Sequence, residues 1–316
     1  MPLVSIVCAT YNRSNILGYT LASARWQTAQ DWELLVVGDA CTDDTAAVVH
    51  AQHDDRIRFV NLPRNHGEQS VPNNVGVADT TGEFVAFLNH DDLWFPDHLS
   101  RLLEACGDPR VDVAHVATAL IPPGGRPHLG ADAPDGRYAP WHTVPASTWL
   151  VRRSSLQRVG PWRSARELYD VPSQDWLRRA RAAGLTIHAV PRVTVVQITS
   201  GYRRDSYRLR HADEHAALFA RMQRDPAECR EALLTAMAMG TSTTAHYLAT
   251  GRAAREVVHS MVRRACVALG LPPRVSSMVV RHPRRGGFIR HLRAVRGLPP
   301  DAIAHDRELD PARRDS

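Results

Sequence analysis

Val4-Ser5-Ile6-Val7-Cys8-Ala9-Thr10-Tyr11-Asn12-Arg13 begins as a short apolar run rich in β-branched residues and breaks at Thr10 into a polar turn. Such a run reads as a buried strand, and the turn as the loop at its carboxyl end. Working outward, Ile16, Leu17, Thr20, Leu21 and Ala24 recur at helical spacing. Residues 32–37 form a second apolar run that ends at Gly38-Asp39. Thr42-Asp43-Asp44-Thr45 reads as a helix start, with Thr42 or Asp43 as N-cap before 46–50. Residues 56–62 read as a third strand, 71–78 as a helix, and 83–88 as a fourth strand that stops at Asn89-His90-Asp91-Asp92. Pro96 opens a further helix over 97–106.

This alternation predicts an α/β fold, a mostly parallel Rossmann-like sheet flanked by helices. Ligands of open parallel sheets sit beyond the carboxyl ends of the strands. Three strand ends here carry polar clusters: Thr10 to Arg13, Gly38-Asp39, and Asn89 to Asp92. The site is expected there. Two adjacent carboxylates such as Asp91 and Asp92 repel each other, which calls for a cation between or beside them. Hard oxygen ligands suit Mg²⁺ or Mn²⁺, held by one or two carboxylates and a substrate's phosphates. The bland alternative makes Asp92 a cap for the helix near Pro96. Asp39 can accept hydrogen bonds from a base or a ribose hydroxyl, or serve as a turn aspartate before Thr42. No GxGxxG and no lysine-containing phosphate loop is present, which argues against dinucleotide and P-loop binding.

These segments resemble family 2 glycosyltransferases of the GT-A fold. The opening strand and loop, Gln27-Thr28, and 32–39 are similar to that family's first half. So are Asn74-Val75-Gly76 and the stretch Gly82 to Asp92 that leads into its DxD motif. Arg152-Arg153-Ser154 to Gly160 and Gln174-Asp175-Trp176 resemble the acceptor-side half. The resemblance implies an inverting transfer of sugar from a nucleotide-diphosphate donor, a UDP-sugar by expectation, to a hydroxyl acceptor. Thr10, Tyr11, Asn12, Arg13, Asp39, Asn74, Asn89, His90 and Asp91 would bind the donor, Asp91 and Asp92 the metal, and Asp175 would be the general base. The acceptor would be a saccharide, a lipid-linked sugar or a small hydroxyl compound. Departures from the family pattern are Gly38 and Asn89 in place of aspartates, Asn73 where arginine is common, and Gln174 in place of glutamate. They keep open a catalytically weakened sugar-nucleotide-binding or scaffold protein; a nucleotidyltransferase is a further alternative.

The organisation expected is a glycosyltransferase domain over 1–210, with a donor half (1–110) and an acceptor half (111–210), then a helical, arginine-rich extension over 211–316. Residues 121–141 read as a long surface loop, 172–183 as a helix, and 186–196 as a strand or two. Helices are expected over 211–224, 227–239 and 244–269. His66-Gly67-Glu68-Gln69 could line the donor pocket. Ser200 to Arg204 could close over a diphosphate, paired arginines suiting phosphate oxygens.

Arginine supplies every cationic residue of the +6 net charge, since the chain has no lysine. That reads as the codon bias of a GC-rich, bacterial genome. The stretch 257–300 holds nine arginines and no acid. It admits a solvated helical face, an anionic-lipid surface or a nucleic-acid patch. Phe288, Ile289 and Leu292 beside Arg281, Arg284 and Arg285 favour the membrane surface, and no nucleic acid is expected. Cys8, Cys41, Cys106, Cys229 and Cys266 lack metal spacing and read as reduced thiols. With no secretory leader and no run of ~20 apolar residues, the expectation is a cytoplasmic protein, peripheral to the inner face of the membrane through 257–300.

Overall fold

The computed structural model describes residues 1–131, 133, 136–140, 142–241, 261, 265 and 281–300. β1 (Val4–Thr10) and β2 (Trp32–Gly38) pair in parallel from Val4↔Trp32 to Thr10↔Gly38. β3 (Ile57–Asn61) joins β2, and β4 (Phe84–Phe87) joins the other edge of β1, both parallel. Almost every residue of β1 and β2 is buried, as expected of strands covered on both faces. α1 (Ser14–Arg25) covers one face with Ile16, Leu17, Thr20, Leu21 and Ala24. α2 (Thr45–His50) follows β2. α3 (Ser70–Ala78) lies close on β1: a Cβ on Gly76 would stand 2.3 Å from Val7 Cγ1.

Beyond β4 the sheet turns mixed. β5 (Asp92–Trp94) is a three-residue strand, followed by α4 (His98–Cys106) and β6 (Val113–Leu120). β7 (His128–Gly130) folds back on β6, so the expected loop over 121–141 contains a short strand. β8 (Trp149–Arg152) runs antiparallel between β4 and β6. α5 (Arg153–Val159) and α6 (Pro172–Ala182) lead to β9 (Ile187–Gln197), parallel to β6 and antiparallel to β5. The order is β3-β2-β1-β4-β8-β6-β9-β5, with β7 off the path. The α/β expectation holds, and the purely parallel part is the first four strands.

After the short α7 (Ser206–Leu209), α8 (Asp213–Arg224) and α9 (Pro226–Thr241) pack Leu218, Phe219, Met222, Leu233 and Met237 on Leu93, Phe95 and Val196. The expected helix over 244–269 lies outside the described residues, apart from 261 and 265. The last described helix, α10 (Gly287–Val295), returns to the carboxyl ends of the strands. Its backbone bonds both sides of the opening there: Gly286 N donates to Leu168 O at 2.8 Å, and Asp205 N to Val295 O at 2.8 Å. Cys8, Cys41, Cys106 and Cys229 are free thiols. No described helix is long and apolar enough to cross a membrane.

Candidate active site

The carboxyl ends of β1, β2 and β4 open onto a cleft of about 730 Å³. Thr10, Tyr11, Asp39, Asn89, His90 and Asp91 line it together. Asp39 is 4% exposed. Its two oxygens accept the backbone N–H groups of His66 (2.8 Å) and Gly67 (2.9 Å). Burial raises its pKa, and those two bonds oppose the rise. The carboxylate thus shapes the 66–69 loop, of which Gly67, Glu68 and Gln69 line the cleft. Glu68 accepts from Ser70 N at 2.7 Å, and burial raises its pKa as well.

The Asn89-His90-Asp91-Asp92 turn separates its two acids. Asp91 faces the cleft and accepts from Ser200 N at 3.2 Å. Burial works against its ionisation, but His90, Arg296 and Arg13 outweigh that and hold its carboxyl below the ordinary range. Asp92 belongs to β5 and points inward. Its Oδ2 accepts from Ser147 Oγ (2.5 Å), Asn89 Nδ2 (2.8 Å) and Gln197 Nε2 (3.2 Å). Burial first, and the charge of Asp91 second, raise its proton affinity. Burial also lowers the His90 pKa to about 4, leaving a neutral ring 3.3 Å from Tyr207 Oη.

For a divalent cation, this donor set is lean. Among the described residues no group of three His, Cys, Asp or Glu side chains could hold a metal ion. Asp92 is taken up by three donors, and Asn89 spends its amide N–H on it. Asp91 fits a cation that takes one protein carboxylate and completes its shell with phosphate oxygens and water.

Three expected donor residues do not line the cleft. Asn12, at a left-handed φ of 47°, accepts from Thr42 N at 2.8 Å and so ties the first loop to the second. Arg13 is buried, donates to Ser206 O at 2.6 Å and lies 5.0 Å over the Tyr207 ring. Asn74 Nδ2 donates to Trp162 O and its Oδ1 accepts from Trp162 N, both at 2.9 Å, joining α3 to the segment that follows α5. Asp43 accepts from Ser14 N (3.0 Å) and Thr45 N (3.2 Å), the first residues of α1 and α2, while the N-cap position of α2 is Asp44 and not the expected Thr42 or Asp43.

At the start of α6, Val171, Pro172, Ser173 and Gln174 form a wall of the cleft. Gln174 is buried, with its amide bonded to Val144 N (3.1 Å) and Val144 O (2.6 Å). Asp175 does not line the cleft; its Oδ2 pairs with Arg179 Nε at 2.9 Å. In the 200–204 segment, Ser200 and Gly201 line the cleft, whereas Arg203 pairs with Glu214 at 2.6 Å and Arg204 is 91% exposed at its side chain. Gln197, Tyr207, Arg293 and Arg296 line it without having been singled out from the sequence. Spacing held a signal for the last pair, since Arg293 and Arg296 are three residues apart and share a helix face. Phe288, Ile289 and Leu292 of α10 also face the cleft; Arg281 is exposed at its edge, and Arg284 and Arg285 are exposed outside it.

A family model described as glycosyl transferase family 2 matches residues 5–160. A putative teichuronic acid biosynthesis glycosyltransferase of Bacillus subtilis is 35% identical over 105 residues, covering 33% of this chain and 41% of that protein. A GalNAc(5)-diNAcBac-PP-undecaprenol beta-1,3-glucosyltransferase of Campylobacter jejuni is 35% identical over 111 residues, 34% of this chain and 36% of that protein. The chain thus spans well under half the length of these relatives. Staphylococcus aureus TarS in complex with UDP-GlcNAc superposes with a TM-score of 0.53 at 17% identity, covering 95% of this chain and 89% of that one. The mannosyltransferase PcManGT of Pyrobaculum calidifontis, in complex with GDP-Man and Mn²⁺, has a TM-score of 0.53 at 20% identity and covers 93% and 87%. At such identities the likeness shows the fold, which is the α/β architecture of GT-A glycosyltransferases.

Proposed function

We propose, for a chain that belongs to glycosyl transferase family 2, that the cleft binds a nucleotide-diphosphate sugar and passes the sugar to a hydroxyl acceptor with inversion. One observation carries this reading: Asp39 and Asp91, from separate strand ends, share one cleft with the basic side chains of α10. The nucleoside lies by Thr10, Tyr11 and Asp39, and the diphosphate by Asp91. A UDP-sugar is the donor we favour; the UDP-GlcNAc and GDP-Man complexes of the structural neighbours support the broader class of nucleotide sugars. Mg²⁺ or Mn²⁺ at Asp91 would supply charge neutralisation to the departing diphosphate. Of the two acids proposed for that cation, Asp91 is the one whose surroundings support it.

The acceptor enters along Val171 to Gln174. An acceptor bound to a diphosphate lipid is supported by the Campylobacter relative's name, and a contact with an anionic membrane would run through the exposed Arg281, Arg284 and Arg285. We divide the chain accordingly into a transfer unit (1–210) and an extension (211–316). In an inverting transfer a base takes the acceptor's proton while the nucleotide leaves from the opposite face of the sugar. The family motif gives that role to Asp175, whose carboxylate must exchange Arg179 for the acceptor hydroxyl. Its engagement with Arg179 is also what favours the second reading, a chain that binds sugar nucleotide without efficient turnover.

A panel of UDP- and GDP-sugars tests the reading, first by thermal shift with and without Mn²⁺, then by nucleotide release with saccharide and lipid-linked acceptors. Stabilisation by one donor followed by acceptor-dependent release is expected. Stabilisation without release on any acceptor would leave the binding-only reading. Transfer by Asp175→Asn at the wild-type rate would move the base role to Glu68, a cleft carboxyl whose proton affinity burial raises.

A further inference from the structure

We infer that Arg293 and Arg296 on the C-terminal helix α10 form an anion clamp for a diphosphate, making residues 286–298 a structural wall of the cleft. Neither residue falls in the segment 5–160 that the family model covers. The inference rests on the donor reading only for what the anion is attached to.

The wall is fixed in register by main-chain bonds at both ends. Gly286 N donates to Leu168 O (2.8 Å), Asp205 N to Val295 O (2.8 Å) and Tyr207 N to Arg296 O (3.1 Å). A chain turn at Gly297, with φ of +80°, ends the helix where an added Cβ would stand 3.0 Å from Asp205 Oδ1. Three anchors on two different loops hold α10 as a strap, and its apolar residues Phe288, Ile289 and Leu292 face the cleft.

The arginines are then placed by the strap. Arg293 is 4% exposed, and its guanidinium donates to Gly67 O at 3.0 Å and to Pro299 O at 2.8 Å. Gly67 is the residue whose N–H Asp39 holds on its other side, so Arg293 is oriented by the donor loop itself. Arg296 is different. It lines the cleft, and its buried Nε has no partner among the described residues. Its field reaches Asp91, His90, Arg13 and Tyr207. Arg13 Nε, beside Tyr207, is likewise buried and unpartnered among the described residues.

Two guanidiniums that repel each other line the cleft, Arg296 near Asp91 with a donor left over and Arg293 near Asp39. Arg13 adds a third positive charge from behind. Buried like charges persist where an anion completes them, and planar guanidinium forks match phosphate oxygens. A carboxylate and a cation on one side of a diphosphate, with arginines on the other, also explains how a site one carboxylate short of the DxD pattern can hold that ligand's charge.

Isothermal titration of the full chain with inorganic pyrophosphate tests the clamp, and titration with UDP and GDP tests the donor reading. Wild type is expected to bind pyrophosphate, and Arg296→Ala to weaken it at least tenfold with unchanged melting temperature, since Arg296 holds no packing bond at its Nε. Arg224→Ala removes the same charge from an exposed turn of α8 and is expected to leave pyrophosphate affinity within twofold. Absence of pyrophosphate binding by wild type, an Arg296→Ala affinity within twofold of wild type, or an equal loss in Arg224→Ala would each overturn the clamp. Pyrophosphate binding that needs Arg296, with neither UDP nor GDP bound, would uphold the clamp and overturn the donor reading.

Discussion

Replacing Asn74 by alanine separates support of the cleft from contact with its ligand. Asn74 sits on α3 outside the cleft lining, and its side-chain amide makes two 2.9 Å bonds with the backbone of Trp162. Trp162 is 3% exposed and packs on Phe87 with ring centroids 4.7 Å apart, so the pair pins a buried aromatic cluster to α3. A net hydrogen bond contributes about 1 kcal/mol, and water can replace part of what is lost at a half-buried position. The alanine variant should therefore lose about 2 kcal/mol. At about 2–4 °C per kcal/mol for a large domain, the melting temperature should fall by about 4–8 °C. Urea unfolding and calorimetry measure the loss, and a UDP titration of the folded variant should stay within threefold of wild type. An unchanged melting temperature, or a tenfold loss of UDP affinity without loss of stability, would refute the reasoning and put Asn74 against the nucleotide.

Gly82→Ala should cost about 3 kcal/mol by urea unfolding, because its Cβ would stand 2.6 Å from the Ser5 backbone nitrogen, which cannot move without opening β1; a cost below about 0.5 kcal/mol would contradict the close approach. His98 is fully buried, stacked on Trp94 at 4.3 Å, and burial lowers its pKa to about 3. A depressed basic pKa gives stability that is complete above the unfolded value near 6.5 and is lost as pH falls towards the folded value. At about 1.36 kcal/mol per unit, His98→Phe should remove about 2 kcal/mol of the decline between pH 6.5 and 5, and an unaltered slope would contradict it. Asp92 has the opposite sign, since a raised carboxyl pKa favours the fold at low pH and loses that contribution as pH rises through the folded value. Asp92→Asn should therefore gain stability relative to wild type on going from pH 5.5 to 8.5, and a flat or falling difference would count against its buried, proton-holding state.

The first four strands were legible because they are short, apolar and rich in β-branched residues, with helical spacing between them. Strand ends in such a sheet meet at one edge, so Thr10, Asp39 and Asp91 could be gathered from the sequence. What lay beyond that logic depends on contacts distant in the chain. β6 carries little strand signal because Ala114, Ala117 and Ala119 dilute it. Adjacent residues in a strand or turn point to opposite sides, so Asp91 and Asp92 part company although they touch in sequence. In α6 successive residues lie about 100° apart around the axis, which leaves Gln174 at the cleft and carries Asp175 to Arg179. Asn12 and Asn74 carry family-like motifs, yet their amides bond to neighbouring segments of the chain, a use that spacing alone does not distinguish from ligand contact. Arg293 and Arg296 reach the site from over 200 residues beyond Asp91, and a basic amphipathic helix looks the same in sequence whether its apolar face meets lipid or a protein cleft.

The most direct test of the central claim is a titration of UDP and GDP into wild type, Asp39→Asn and Asp91→Asn, with and without Mn²⁺. The account predicts that wild type binds one of the two nucleotides. Asp39→Asn should weaken it about tenfold or more, since losing a charge-assisted bond to the 66–67 backbone costs about 1.5–3 kcal/mol. Asp91→Asn should abolish any gain from Mn²⁺. Failure of both nucleotides to bind wild type, or equal affinity in all three proteins, would contradict it.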